Sequence, residues 1–199
     1  ETADNSLRAS LGLSGQVICF SGELREKKGM RFLLPAFAAL ARQRDLHLLL
    51  LGGVRDDAEP AWEAFVRAEP AAAARVHRLR YDDDPARLSL RLALCDVMVF
   101  PSLYEGMPNA VLEAMAAECA VVATDVGGHG ELIEHGRSGA LLSLRDLDRL
   151  PEAIAEMLEL PPGERRRMGQ AARAFVADAH SPAAERAAWQ AVYATAQSD

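Results

Sequence analysis

Short apolar runs alternate with longer stretches of helical periodicity along most of the chain. The apolar runs are too short for helices, and we predict strands at Gln16–Ser21, Leu46–Leu51, Val76–Leu79, Val97–Phe100, 120–124 and Ala140–Leu142. Helices are predicted at 29–43, 60–68, 85–94 and 108–118. Strands that alternate with helices in this way predict an α/β fold with a Rossmann-like, doubly wound parallel sheet.

The last quarter of the chain has a different pattern. From Asp146 it becomes helical and alanine-rich, with interruptions at Pro161-Pro162-Gly163 and at Ser181-Pro182. The 199 residues suffice for one domain with a full core. We therefore predict a single domain over residues 1–199, with a helical tail at about 146–199. Because the chain begins at Glu1 in a polar segment, without methionine, we expect it to be cut from a longer protein.

Charge and cysteine content exclude several classes of protein. The net charge of -7 argues against a nucleic-acid surface, because no basic stripe stands out. Three cysteines, Cys19, Cys95 and Cys119, lie in apolar surroundings. Their odd number argues against a disulfide framework and fits a reducing cytosol, so we expect free thiols and a cytoplasmic location. The five histidines lack metal-binding spacing, and no metal site is predicted.

The segment from Val99 to Gly128 is the most informative part of the sequence. A strand ends at Pro101, a loop with Glu105 follows, and a helix predicted to start at Pro108 carries Glu113. Ligands of open α/β sheets bind beside such loops, and a helix start offers unpaired amides to an anion. Pro108 suits the first helical position because it has no N–H to leave unpaired. The amide donors predicted here belong to Gly106, Met107, Asn109 and Ala110.

These residues resemble a known family. Seven residues separate Glu105 from Glu113 within Pro-Ser-x-x-Glu-Gly-x-Pro-Asn-x-x-x-Glu-Ala-Met-Ala. This pattern resembles the Glu-x7-Glu signature of retaining GT-B glycosyltransferases, and most closely the group 1, or GT4, family. Residues 20–29 resemble that family's Gly-Arg-Leu…Lys-Gly segment, and residues 48–53 its next strand and glycine. The three matches occur in the family's order and cover roughly residues 17–142.

The resemblance implies a function for the chain. It would be the C-terminal, donor-binding domain of a retaining, metal-independent hexosyltransferase that moves a sugar from a UDP- or GDP-sugar to an acceptor without a cofactor. The N-terminal acceptor domain is absent from this chain and would be its partner, as well as the site of any membrane contact. The final helix, around residues 183–196, resembles the segment that crosses back to that domain. We expect the isolated domain to be inactive.

The resemblance also implies roles for individual residues. Glu105 would bind donor-sugar hydroxyls at the reaction centre, and Glu113 would accept hydrogen bonds from the ribose. Lys28, in the loop that begins at Gly22, would stabilise the departing diphosphate. The family's arginine position holds Glu23, an acid that cannot bind diphosphate, so we expect Arg25 to replace that arginine.

Two further loops are expected to contribute to the site. Arg80 and Tyr81, after the third strand, would hold the base, with Tyr81 stacking on it and backbone groups contacting its edge. The neighbouring Asp82-Asp83-Asp84 is predicted to be a solvated loop that caps the next helix. Gly127-Gly128-His129-Gly130 is predicted to form a flexible rim near the sugar.

Alternative functions remain open from the sequence. A sugar-nucleotide epimerase or a phosphorylase of the same fold is one alternative, although the paired glutamates count against an epimerase. A non-catalytic binding module derived from the GT-B fold is another, and Glu23 at the arginine position favours it. The chain has neither Gly-x-Gly-x-x-Gly after a strand nor Gly-x4-Gly-Lys-Ser/Thr, so a dinucleotide fingerprint and a Walker loop are excluded.

Overall fold

A parallel sheet forms the centre of the protein in this computed structural model, which describes residues 3–80, 82 and 84–196. The strands are β1 (Gln16–Ser21), β2 (Leu46–Leu51), β3 (Val76–Leu79), β4 (Val97–Phe100), β5 (Val121–Thr124) and β6 (Ala140–Leu142). Their order is β3-β2-β1-β4-β5-β6 and every pairing is parallel. The predicted α/β, Rossmann-like class is confirmed, and only β5 begins one residue later than expected.

Helices surround the sheet, and most of the long ones lie where the sequence predicts them. They are α1 (Ala3–Ser10), α2 (Met30–Ala41), α3 (Glu59–Ala68), α4 (Pro70–Ala73), α5 (Pro85–Leu92), α6 (Asn109–Ala116), α7 (His129–Leu132), α8 (Leu150–Glu159), α9 (Pro162–Ala179) and α10 (Pro182–Ala196). Short 3-10 helices cover Glu26–Lys28 and Leu144–Arg149. The predicted helical tail is confirmed as α8, α9 and α10. The sequence did not predict α1, α4 or α7, and α4 and α7 have only four residues each.

Both faces of the sheet are covered, which explains why its strands are almost entirely apolar. Side chains alternate along β1, so that Ile18 and Phe20 pack on one face with α2 and α8, while Val17 and Cys19 pack on the other with α6 and α9. Within the described part of the chain, no helix is both long and apolar enough to span a bilayer.

The strand order creates a crevice between β1 and β4. After β1 the chain builds β2 and β3 on one side, and it then crosses to the other side to build β4, β5 and β6. β1 and β4 are neighbours, with Ile18 opposite Val97. The helices that follow these two strands, α2 and α6, pack on opposite faces of the sheet. Such a switch point, at the carboxyl ends of the strands, is where open α/β sheets bind ligands.

The prediction of three free cysteines is wrong. Cys19 in β1 and Cys95, just before β4, form a disulfide although 76 residues separate them in sequence. They meet because β1 and β4 are neighbours in the sheet, a pairing that cysteine spacing cannot reveal. Cys119 is the free cysteine and is buried, and burial raises the pKa of its thiol to about 12.

Candidate functional site

Lys28 and Glu105 meet at the switch point. Lys28 ends the 3-10 helix after β1, and Glu105 lies in the loop after β4. The Lys28 Nζ donates to Glu105 Oε1 at 2.5 Å, and the Ser102 hydroxyl donates to the same oxygen at 2.7 Å. The two charged side chains are 25% and 10% exposed. The structure therefore brings together two of the predicted site residues as a largely buried ion pair.

Glycine at position 29 allows this close approach. Gly29 has φ of 76°, and a Cβ there would overlap the carbonyl oxygen of Pro101. The Leu103 amide donates to the Lys27 carbonyl at 2.8 Å, which ties the two loops together beside the ion pair. The Lys28-Gly29 sequence is thus needed for backbone packing as well as for charge.

Glu23, at the family's arginine position, binds two arginines. Its carboxylate lies 3.0 Å from Arg25 Nη2 and 3.0 Å from Arg55 Nε. Arg55 belongs to the loop after β2, so Glu23 joins the loops after β1 and β2. Gly22 supports the same junction with φ of 123°, and a Cβ on Gly52 would overlap its carbonyl oxygen. Arg25 as a diphosphate ligand stays a prediction. Sequence analysis missed Arg55 because it lies just beyond residues 48–53, the segment that resembles the family.

The key helix starts one residue later than predicted. Pro108, with φ of -86° and ψ of 84°, is the N-cap of α6 and not its first helical residue. Its carbonyl accepts from the Val111 amide at 2.9 Å, which begins the helical hydrogen bonding. The side chain of Pro108 is buried.

The backbone before α6 still offers hydrogen-bond donors. The Asn109 amide is used, since it donates to the Met107 carbonyl at 3.2 Å. The amides of Gly106, Met107 and Ala110 have no acceptor among the described residues. A Cβ on Gly106 would meet nothing within 4 Å, so the space before the helix is open. Three of the four predicted amide donors therefore remain available to an anion.

Glu113 lies in a groove between α5 and α6. This groove has a volume near 350 Å³ and is also lined by Asp82, Pro85, Leu88, Ser89, Ala116 and Ala117. The Glu113 carboxylate is half-buried, and burial raises its pKa. It has no hydrogen-bond or ion-pair partner among the described residues. A half-buried, unpaired carboxylate is able to accept hydrogen bonds from a ligand in the groove.

Asp82, in the loop after β3, is paired with two arginines of α5 and is not simply solvated as predicted. Asp82 accepts from Arg87 Nε and pairs with Arg91 Nη2, both at 2.9 Å, and the bond to Arg87 lowers the pKa of this carboxyl. Arg91 also donates to the carbonyl of Arg80 at 2.8 Å. The predicted cap is confirmed, because Asp84 accepts from the Ala86 amide at 2.9 Å. The Arg80 side chain is exposed, and Tyr81 lies outside the described residues.

The glycine-rich loop after β5 packs directly against the loop that carries Glu105. The Gly128 amide donates to the Gly106 carbonyl at 3.0 Å, and a Cβ on Gly127 would overlap the carbonyl oxygen of Glu105. The glycines at this rim therefore permit close contact between two backbones. His129 follows them and is fully buried.

Ser102 and Thr124 connect the ends of β4 and β5. Thr124 Oγ1 donates to the Ser102 carbonyl at 2.5 Å, and His129 Nδ1 lies 2.7 Å from the Thr124 carbonyl. Sequence analysis included His129 only as part of the glycine-rich rim, and it did not select Ser102 or Thr124. Ser102 lies inside the recognised motif, whereas Thr124 carried no signal. No cluster of three or more His, Cys, Asp or Glu side chains suited to a metal ion occurs in the part of the chain that the structure describes.

The strand order, the ion pair at the switch point and the open helix start define a Rossmann-like domain with a polar site at the carboxyl edge of its sheet. The chain belongs to the family described as glycosyl transferases group 1, whose model matches residues 15–160.

Several curated relatives resemble the chain over about half of their own length. Alpha-maltose-1-phosphate synthase of Mycolicibacterium smegmatis is 33% identical over 180 residues, which are 85% of this chain and 46% of the relative. The lipopolysaccharide core biosynthesis mannosyltransferase LpcC of Rhizobium leguminosarum bv. viciae is 30% identical over 163 residues, 81% of this chain and 46% of the relative.

Solved structures share the fold. Sucrose-phosphate synthase from Thermosynechococcus elongatus superimposes with a TM-score of 0.83 and 26% identity, over 98% of this chain and 49% of that one. The C-terminal domain of the group 1 glycosyl transferase LpcC from Francisella tularensis has a TM-score of 0.77 and 19% identity, over 92% of this chain and 95% of that domain. The Anabaena protein HepE, solved with UDP-glucose, has a TM-score of 0.78 and 24% identity, over 89% of this chain and 49% of its own.

Proposed function

We propose that this chain is the donor-binding half of a glycosyltransferase that transfers a sugar from a nucleoside-diphosphate sugar to an acceptor. The observation that carries the proposal is the Lys28–Glu105 pair beside unpaired amides at the switch point, in a group 1 glycosyltransferase domain. UDP-glucose is the first donor to test, because the similar Anabaena protein was solved with it.

Each part of the donor has a proposed contact. The Lys28 ammonium and the amides of Gly106 and Met107 bind the diphosphate, since a cation and free N–H groups both favour an anion. Glu113 accepts hydrogen bonds from the ribose hydroxyls in the groove between α5 and α6. Glu105 accepts from the donor sugar. The base lies by the loop after β3, near Arg80, with Tyr81 as its predicted stacking partner.

The chemistry that we propose is hexosyl transfer with retention of configuration, as in the GT4 family. Negative charge grows on the diphosphate as the sugar leaves, and Lys28 stabilises that charge. Arg25 helps only to the extent that Glu23 releases it. No metal or cofactor forms part of the proposal, because fixed cations and amides supply the positive charge that the leaving group needs.

The proposed partner is an N-terminal acceptor domain of the same enzyme. The chain spans about half the length of the relatives that it matches, and α10 exposes the side chains of Trp189, Val192 and Tyr193. Exposed aromatic side chains suit a protein interface. Any membrane contact would belong to that domain.

A cytoplasmic site of action goes with a nucleotide-sugar donor. The disulfide between Cys19 and Cys95 argues the other way, because stable disulfides are uncommon in a reducing cytosol. The cysteines therefore no longer support a cytoplasmic location. The proposal of a cytoplasmic location now depends only on the proposed nucleotide-sugar donor.

Calorimetry with UDP, GDP and ADP tests the binding proposal. We expect weak binding of at least one of them, in the millimolar range or somewhat tighter, because half of the cleft is missing. UDP-glucose should then compete with UDP for the same site. Failure of all three nucleotides to bind at about 1 mM, a Kd equivalent to about 4 kcal/mol, would leave the non-catalytic module as the better function.

A sugar-transfer assay tests whether this chain needs the proposed acceptor domain for activity. The chain alone should not transfer sugar at a useful rate, because the acceptor is positioned by the other domain and positioning supplies much of the rate. The same assay run with free phosphate as acceptor, and with detection of epimers, examines the phosphorylase and epimerase alternatives. Robust transfer by this chain alone would show that it is not half of an enzyme.

A further inference from the structure

His129 is a buried titratable side chain that the proposed chemistry does not use. It has no solvent exposure, and its Nδ1 lies 2.7 Å from the carbonyl oxygen of Thr124. A carbonyl cannot donate, so Nδ1 carries the proton in this contact and Nε2 of the neutral ring is an acceptor. Nε2 has no partner among the described residues. A buried polar atom without a partner is costly, which makes its retention here informative.

Three charged groups act on this ring. The carboxylates of Glu105 and Asp125 favour a protonated imidazolium, whereas the ammonium of Lys28 opposes it. Burial also opposes protonation and is the largest influence, so the pKa of His129 lies below its usual value. The ring of Phe100, at the end of β4, lies beside it with centroids 6.4 Å apart.

A chain of hydrogen bonds links the ring to the ion pair. His129 donates to the Thr124 carbonyl, and the Thr124 hydroxyl donates to the Ser102 carbonyl. The Ser102 hydroxyl in turn donates to Glu105 Oε1, the oxygen that also accepts from Lys28. The ring is thus connected to Glu105 through Thr124 and Ser102, each of which takes part with both its backbone carbonyl and its hydroxyl.

We propose that His129 is a positioning residue for Glu105: its neutral ring leaves Glu105 paired with Lys28, and its protonation draws the Glu105 carboxylate away from Lys28. Two cations then compete for one carboxylate, and pH decides which of them holds it. The consequence for the donor rests on the proposed function. When the imidazolium of His129 binds Glu105, Lys28 is free to bind the diphosphate. The Glu105 carboxylate then has fewer lone pairs left to accept hydrogen bonds from the sugar hydroxyls.

NMR of the free protein tests the positioning role without any ligand. The backbone amide signals of Ser102 and Glu105 are followed from about pH 8 to about pH 5, the range over which histidines change charge. The lower end is included because the pKa of His129 lies below its usual value. We expect both signals to shift with one midpoint in the wild type and to lose that step in His129→Asn, whose amide still donates to Thr124. His180→Asn, at the end of α9, is the matched control and should retain the step. A step that survives in His129→Asn, or no step in the wild type, would overturn the proposal.

Calorimetry of the same variants separates this inference from the proposed function. The preference of the wild type for UDP-glucose over UDP should fall about threefold to tenfold at the lower pH, as expected for one weakened hydrogen bond. In His129→Asn the preference should not change with pH. A pH-independent preference in the wild type counts against the proposal. If neither nucleotide binds but the NMR step is present, the proposed function is wrong and the positioning role of His129 stands.

Discussion

Lys28 Nζ and Glu105 Oε1 form a hydrogen-bonded ion pair at 2.5 Å, although 77 residues separate them in the chain. The two residues were predicted to contact different parts of the donor, yet in the free protein they neutralise each other. Binding of a diphosphate then exchanges one anion for another at Lys28. The exchange reduces the net gain in binding free energy, because the ammonium must leave a carboxylate that is only 10% exposed.

Because Lys28 and Glu105 are paired, substitutions of the two residues should change UDP affinity in different directions. Glu105→Gln frees the Lys28 ammonium, so UDP affinity should be equal to or higher than that of the wild type, while affinity for UDP-glucose should fall. Lys28→Ala should weaken both ligands by about 1.5–3 kcal/mol, the usual value for a hydrogen bond to a charged group. Calorimetry measures the affinity of each variant for UDP and for UDP-glucose. Lys27→Ala, in the same 3-10 helix, is the control. UDP binding that is weakened by Glu105→Gln would show that Glu105 does not compete for Lys28.

We expect the Glu113 carboxylate to destabilise the folded protein at neutral pH, although it contributes to nucleotide binding. Burial raises its pKa, so between about pH 4.3, the usual pKa of a glutamate, and its folded pKa the folded protein binds more protons than the unfolded chain. Stability is therefore lost as pH rises through that window. We expect Glu113→Gln to raise the Tm at pH 7 and to leave it unchanged in acid, below both pKa values. Thermal unfolding at the two pH values measures this.

The same carboxylate should contribute to nucleotide affinity. Glu113→Ala should weaken UDP binding by about 1.5–3 kcal/mol, because the ribose hydroxyls lose a charged acceptor. Glu152→Ala, an exposed glutamate on α8, is the matched control and should bind UDP like the wild type. If Glu113→Ala binds UDP with unchanged affinity, the ribose does not bind in the groove between α5 and α6.

A histidine pair should make the protein less stable in mild acid. His47 Nδ1 and His77 Nε2 are 3.0 Å apart, which requires one N–H and one lone pair between the two rings. Burial lowers the pKa of both, and for His77 the neighbouring His47 lowers it further. Because the unfolded chain takes up protons first, at about pH 6.5, stability present above that value is lost as pH falls through the folded pKa values.

Urea unfolding at pH 7.5 and 5.5, about one unit either side of the reference histidine pKa, measures this loss. The wild-type midpoint should fall at the lower pH, and His77→Gln should show a smaller fall because one of the two titrating rings is gone. His180→Gln, just after the end of α9, is the control. An equal fall in wild type and His77→Gln would assign the acid sensitivity to other groups.

Thiol counting tests the disulfide. In denaturant without reductant only Cys119 should be alkylated, and after reduction Cys19 and Cys95 should react as well. The native protein should not be labelled, since Cys119 is buried and its raised pKa keeps the thiol protonated. Reduction should lower the free energy of unfolding by about 2–4 kcal/mol, the usual effect of a disulfide that closes a long loop. Alkylation of all three cysteines without reductant would restore the prediction of free thiols.

Local sequence determined most of the secondary structure. Buried parallel strands need a short unbroken apolar run, so segments such as Leu46–Leu51 could be bounded to the residue. Helix faces followed from periodicity, and the cap at Asp84 followed from Asp-Pro before an apolar pattern. Short elements escaped prediction, because a four-residue helix such as α7 has no periodic pattern and forms only through packing.

The sequence by itself also identified Lys28, Glu105 and Glu113 as candidate site residues, since they lie in segments that resemble the family's motifs. Tertiary structure alone decided what these side chains contact: Lys28 with Glu105, Glu23 with two arginines, and Cys19 with Cys95. The burial of His129 also depends on the tertiary structure. Motifs and periodicity report neighbours along the chain, whereas these contacts depend on which strands lie side by side, and that order is set by packing across the whole sheet.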